Sequence, residues 1–334
     1  MSEPMNWSTC VAPPRLRPGD RVAVVAPSGP VPPAELGAAL EILAARYRLV
    51  YDEAGLLARA GYLAGDDDRR AEELERHLAD PDVRAIFMAR GGYGLMRVLE
   101  RLNPAVLARE PKPIVGFSDG TALLAFALRA GVRPIHGPVA VQLPRLPAEE
   151  VAWLFRLLED PSPAVVPAGA LYRLGGAAPG VPGAPGVPGV PGVPGVIEGR
   201  LVGGNLELVT RLIGTPWQLE LDGAIFFFEE VGERPYRLDR MLTQLHLAGA
   251  LDGVRGALCG ELVRCDEPPA SADGVPAPLA VVAERLARFG IAGAAGAPFG
   301  HGAQNVALPV GARALLDLGR GELILQEGAV ARDA

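Results

Sequence analysis

Short uninterrupted apolar runs alternate with amphipathic stretches through the first 130 residues. Arg21-Val22-Ala23-Val24-Val25-Ala26 is apolar at consecutive positions, as a strand covered on both faces of a parallel sheet must be. It stops at the breaker cluster Pro27-Ser28-Gly29-Pro30. An Ala- and Leu-rich helix is expected over 33–46 and a strand over 47–51. The next helix, from Asp66 to Leu78, is charged and carries Ala71, Leu74 and Leu78 on one stripe. A buried strand Ala85-Ile86-Phe87-Met88-Ala89 runs into Arg90-Gly91-Gly92-Tyr93-Gly94, and a helix is expected from Leu95 to Leu102. A strand from Ile114 to Phe117, the turn Ser118-Asp119-Gly120 and a helix from Thr121 to Arg129 complete the series. This alternation predicts right-handed βαβ units on a parallel sheet.

The pattern breaks near Pro161. From Gly175 the chain reads as Gly-Pro-Val triplets, with glycine at 180, 183, 186, 189, 192 and 195. Six triplets without a flanking array cannot hold a triple helix, so the segment is expected to be a flexible or polyproline-like insertion in a surface connection. Its excision would bring Leu174 close to Ile197. After Gly203-Gly204-Asn205, helices are expected over 206–213, 237–247 and 279–289. Apolar strands are expected over 224–228 and 256–263, and short strands over 303–308, 312–316 and 322–325 form an antiparallel layer. The expected organisation is an α/β N-terminal domain over 1–165, a linker over 166–199 and an α+β domain over 200–334.

Composition narrows the function classes. The 42 Gly and 33 Pro residues make up about 22% of 334, against roughly 12% on average. Wholesale disorder is excluded all the same, because 49% of residues are hydrophobic and the net charge is only −7. With 32 basic and 39 acidic residues, nothing points to nucleic acid. No apolar run reaches the roughly 20 residues of a membrane span. Residues 1–7 lack a basic and apolar leader, so a cytoplasmic location is expected. Cys10, Cys259 and Cys265 have no ligand-like spacing and read as reduced thiols, and the four His form no metal-binding pair. The first βα turn departs from G-x-G-x-x-G, which argues against a dinucleotide.

Gly116-Phe117-Ser118-Asp119-Gly120 matches G-x-S-x-G between a strand and a helix. Such a turn lifts the serine to a helix N-terminus, where developing negative charge is favoured. A serine at that place is equally a helix cap. A nucleophile needs a base. His77 lies on a charged helix and reads as solvated, while His246 reads as packed. His136 ends a strand, and His301 stands between Gly300 and Gly302 in a bare loop, which makes it the leading candidate ahead of His136. An orienting carboxylate is expected from Glu229 or Glu230, at the end of Ile225-Phe226-Phe227-Phe228.

Several separated stretches then resemble the serine LD-carboxypeptidases, the family of the murein tetrapeptide carboxypeptidases and the microcin C self-immunity peptidases. They are Pro18-Gly19-Asp20-Arg21-Val22 with Ala26-Pro27-Ser28-Gly29, then Arg90-Gly91-Gly92-Tyr93-Gly94, Gly116-Phe117-Ser118-Asp119, His136-Gly137-Pro138 and Gly203-Gly204-Asn205-Leu206. The run from Glu229 to Arg240 and Gly300-His301-Gly302 complete the set. The resemblance implies a Rossmann-like N-terminal domain with a mostly parallel sheet, and a smaller C-terminal α+β domain. It implies a triad of Ser118, Glu229 and His301, with Glu229 carried over as the first acid of a pair that usually reads Glu-Asp. It implies an oxyanion hole from the backbone N–H groups of Gly92 and Asp119. No metal or organic cofactor is implied.

The implied reaction is release of the terminal D-Ala of a muropeptide tetrapeptide at an L–D bond, in peptidoglycan recycling. The implied partner is a small peptide substrate, and the implied assembly a homodimer. An alternative is cleavage of an aminoacyl-nucleotide amide, with Trp217 as a platform for the base. An alternative of another class is a catalytically inactive peptide-binding protein.

Overall fold

The computed structural model describes residues 10–169, 171–174 and 195–332. The Gly-Pro-Val triplets and residues 1–7 therefore lie outside the described residues. The chain divides into two compact units. One holds Met1–Ser162, Asn305–Gly311 and Gly328–Ala334, and the other holds Pro163–Gln304 and Ala312–Glu327.

In the first unit the strands are β1 (Arg21–Val25), β2 (Arg48–Val50), β3 (Ala85–Met88), β4 (Ile114–Gly116) and β5 (Ile135–His136). Together with Leu308–Pro309 they form a sheet. In the order β5-β4-β3-β1-β2 every pairing is parallel, and Leu308–Pro309 adds to β5 antiparallel. The central strands are buried throughout, which is why they read as continuous apolar runs. Helices α1 (Pro33–Ala44), α2 (Glu53–Leu57), α3 (Asp67–Ala79), α4 (Pro104–Arg109), α5 (Thr121–Arg129) and α6 (Ala148–Glu159) connect and cover them. In α3 the expected stripe of Ala71, Leu74 and Leu78 is buried, and Asp66 caps the helix by accepting from Arg69 N–H at 2.8 Å.

In the second unit the strands are β6 (Ala164–Val165), β7 (Tyr172–Arg173), β8 (Val196–Asn205), β9 (Ala224–Val231), β10 (Gly256–Val263) and β11 (Gly293–Ala295). With β12 assigned to Leu308–Pro309 of the first sheet, β13 (Arg313–Asp317) and β14 (Glu322–Leu325) complete the set. The strand order is β6-β14-β13-β8-β9-β10-β11-β7. Strands β8 to β11 are parallel, joined by α7 (Leu206–Arg211), α8 (Pro235–Leu247) and α9 (Pro278–Arg288), while β13, β14, β6 and β7 pair antiparallel at the margins.

Three expectations are corrected. Residues 95–102 form two short 3₁₀ turns, Leu95–Arg97 and Leu99–Arg101, in which Leu95 and Leu99 are buried. Of the strand expected over 303–308, only Leu308–Pro309 pairs, and it joins the first sheet instead of the second. Leu174 and Ile197 are not neighbours. Strands β7 and β8 are separated by β9, β10 and β11, four spacings of about 4.8 Å.

Candidate active site

The first sheet's parallel strands deliver their loops to one edge, the place where α/β sheets hold ligands. Strand β4 ends at Gly116, and Ser118 then takes φ +61°, a left-handed conformation adopted by only one other non-glycine residue, Arg264, among those described. Beside it, Gly116 lies against β3 so closely that an added Cβ would stand 2.5 Å from Met88 Sδ. Phe117 and Asp119 are buried on either side, while Ser118 keeps part of its surface. Helix α5 begins at Thr121, so the serine stands at a helix entry.

Asp119 holds this turn in place. Its Oδ2 accepts from Ser28 Oγ at 2.6 Å and from Leu95 N–H at 2.9 Å, and burial raises its pKa. The Ser118 turn is thereby tied to the loops after β1 and β3. The buried Arg70 reinforces the same floor, donating through Nη1 to Pro27 O and Gly94 O. The Gly91-Gly92 turn lies against the serine. An added Cβ at Gly91 would stand 3.0 Å from Ser118 Cβ, and Gly92 N–H has no acceptor among the described residues.

In the second unit, the alternation of β9 separates two adjacent carboxylates. Phe227 and Glu229 share one face, whereas Phe226, Phe228 and Glu230 share the other. Phe299 packs edge-on against Phe227 with centroids 5.7 Å apart, which brings the following loop over Glu229. Gly300, at φ +123°, completes the approach, since an added Cβ there would lie 2.8 Å from Glu229 Oε2. His301 Nδ1 then meets Glu229 Oε2 at 2.7 Å, with the carboxylate fully buried and the imidazole partly exposed.

Glu230 faces the other way. It accepts from Glu207 N–H at 2.8 Å and from Val231 N–H at 2.8 Å, and its pKa is pushed up to about 7, chiefly by burial and also by the charge of Glu229. Asn205 spans the pair. Its Nδ2 donates to Glu229 Oε1 at 3.2 Å and to Glu230 Oε1 at 3.0 Å, while its Oδ1 caps α7.

Residues 22–137 match the N-terminal domain of the LD-carboxypeptidases, and residues 198–316 match their C-terminal domain. The chain belongs to the LD-carboxypeptidase family. A putative carboxypeptidase of Synechocystis sp. is 38% identical over 92% of this chain and 95% of its own. The murein tetrapeptide carboxypeptidase of Pseudomonas aeruginosa is 34% identical over 89% and 93%. Among solved structures, a muramoyltetrapeptide carboxypeptidase from Oxalobacter formigenes superposes with a TM-score of 0.76 at 28% identity, covering 93% of this chain and all of that one.

The remaining candidates in this member of the family take other places. His136 is fully buried in β5 and stands edge-on to Phe117 at 5.9 Å. His77, expected to be solvated, is buried, because it lies on the inner face of α3 beside Leu74 and Leu78; its ring nitrogens find no partner among the described residues, and burial lowers its pKa. His246 is exposed and stacks on Phe289 at 4.2 Å. Trp217 is half-buried in the turn after α7. The three cysteines are free and buried. Among the described residues no group of His, Cys, Asp and Glu is arranged to hold a metal ion, and no helix is long and apolar enough to cross a membrane.

Sequence reasoning missed the side-chain role of Asp119, the buried Arg70 and the Asn205 bridge. Ser28, Asp119 and Asn205 all stood within the stretches that carry the resemblance. Arg70, on a highly charged helix, carried no signal.

Proposed function

We propose that this chain is a serine LD-carboxypeptidase that hydrolyses the L–D amide of a murein tetrapeptide and releases the terminal D-Ala. The observation that carries this reading is the left-handed Ser118 at the entry to α5, the backbone geometry of a nucleophile elbow. The buried Glu229 paired with His301 supplies the matching acid–base group.

In this reading Ser118 Oγ attacks the carbonyl carbon of the scissile amide and passes its proton to His301 Nε2. Glu229 accepts from Nδ1–H, which holds the ring in the tautomer whose Nε2 is basic and stabilises the imidazolium. The oxyanion forms against the N–H groups of Gly92 and Asp119. Collapse breaks the C–N bond as His301 returns the proton to the departing D-Ala amine. Water, deprotonated by the same imidazole, then releases the acyl group from Ser118.

The test is mass spectrometry of free tetrapeptide and of a muropeptide mixture, incubated with the wild type and with Ser118→Ala. The expected result is loss of D-Ala with the wild type alone. Release by Ser118→Ala at the wild-type rate, or cleavage of an aminoacyl sulfamoyl adenosine in place of the tetrapeptide, overturns it.

A further inference from the structure

Two large aromatic side chains stand exposed beside the nucleophile turn. Tyr62 and Tyr93 keep 66% and 53% of their surface in solvent. Their ring centroids are 5.6 Å apart and their planes meet at 68°, so the pair forms an open corner with two ring faces. Scattered exposed aromatics need no explanation, but a paired corner on tightly held loops is a different matter.

Both residues stand on loops tied to the segments that carry Ser118. Tyr93 is the second residue after Gly91, which abuts the serine side chain, so its Cα lies within about 8 Å of that contact along the chain. On its far side Gly94 O is held by Arg70 Nη1 at 2.9 Å. Tyr62 sits at the tip of a tight turn closed by reciprocal bonds between Ala60 and Leu63, at 2.9 and 3.1 Å. The turn is moored by Ala64 N–H to Ser28 O at 2.9 Å and by Arg69 Nε to Ala64 O at 2.8 Å. Ser28 is also the residue whose hydroxyl binds Asp119.

We propose that Tyr62 and Tyr93 form the subsite for the acyl part of the substrate, the peptide stem that stays on Ser118 when the terminal residue leaves. This rests on the carboxypeptidase reading above. A departing D-Ala presents one methyl group and has no use for two rings. The retained stem is the larger part, and its apolar segments fit the two ring faces of an aromatic corner. Binding of this kind acts on ground state and transition state alike, so its loss appears in KM.

The experiment is steady-state kinetics of the wild type, Tyr62→Ala, Tyr93→Ala and both Tyr→Phe variants. The substrates are the sugar-free tetrapeptide, the same peptide bearing its sugar, and a dipeptide cut back to the residues flanking the scissile bond. Each Ala variant is expected to raise KM for both longer substrates about tenfold with kcat within about twofold, to leave the dipeptide unchanged, and to be rescued by Phe. Equal losses on the dipeptide, no loss on the tetrapeptide, or a loss confined to the sugar-bearing substrate overturns the subsite while the reaction stands. A wild type that leaves the tetrapeptide intact overturns the carboxypeptidase reading, and the subsite with it.

Discussion

The buried carboxylate of Glu229 stands 2.7 Å from Nδ1 of His301. Its neighbour Glu230 has a comparable environment and no contact of that kind, which makes the pair an internal control. Glu229→Gln keeps the shape and removes the charge that selects the tautomer. A fall in kcat of about 10²–10⁴ is expected, whereas Glu230→Gln should stay within about tenfold. Parallel kinetics on the tetrapeptide decide it, and equal effects would assign the role wrongly.

Glu230 should instead appear in stability. Its folded pKa is about 7 against an ordinary 4.5, mostly through burial. The native state therefore binds the proton more tightly than the unfolded chain. The stabilisation is complete below pH 4.5, is lost as pH rises to about 7, and changes little beyond. At 1.36 kcal/mol per unit the span is about 3 kcal/mol. Urea unfolding from pH 5 to 8 should show this slope in the wild type and a shallower one in Glu230→Gln.

The conformation of Ser118 has an energetic signature of its own. At φ +61° a side chain with a Cβ is strained by about 1 kcal/mol, and glycine is not. Ser118→Gly and Ser118→Ala should both be inactive, yet the glycine variant should be the more stable by about that amount in thermal unfolding. A less stable glycine variant would contradict the strained turn.

Gly116 is expected to tolerate no side chain. Gly116→Ala drives a methyl onto Met88 Sδ and should cost about 1–3 kcal/mol. In a double-mutant cycle the penalty should shrink on a Met88→Ala background, because the obstructing atoms are gone. Additive losses would show that the close approach is not what excludes a Cβ.

The first sheet was readable because its inner strands β1, β3 and β4 are nearly continuous apolar runs and helices such as α3 carry one apolar stripe, patterns that burial imposes. The second was less so. The ten-residue β8 contains Gly199, Gly203 and Gly204 and has no strand signature, yet it lies between β13 and β9, and at Gly203 an added Cβ would fall onto the backbone of its ladder partner Phe227. His77 misled for a related reason, since a charged helix still has an inner face.

The sequence by itself determined the chemistry on offer: a serine in a strand-to-helix turn, a histidine between glycines and two adjacent acids at the end of an aromatic strand. Read residue by residue it left those acids undecided, and only the family resemblance pointed to Glu229. Residues next to each other on a strand point to opposite faces, so the choice depends on which face the loop after Phe299 covers. That is a property of packing between distant segments. The tertiary structure placed Glu229 under His301 and Glu230 on the entry to α7, and it joined the Asp119 side chain to Ser28 and Leu95, contacts between segments far apart in the chain.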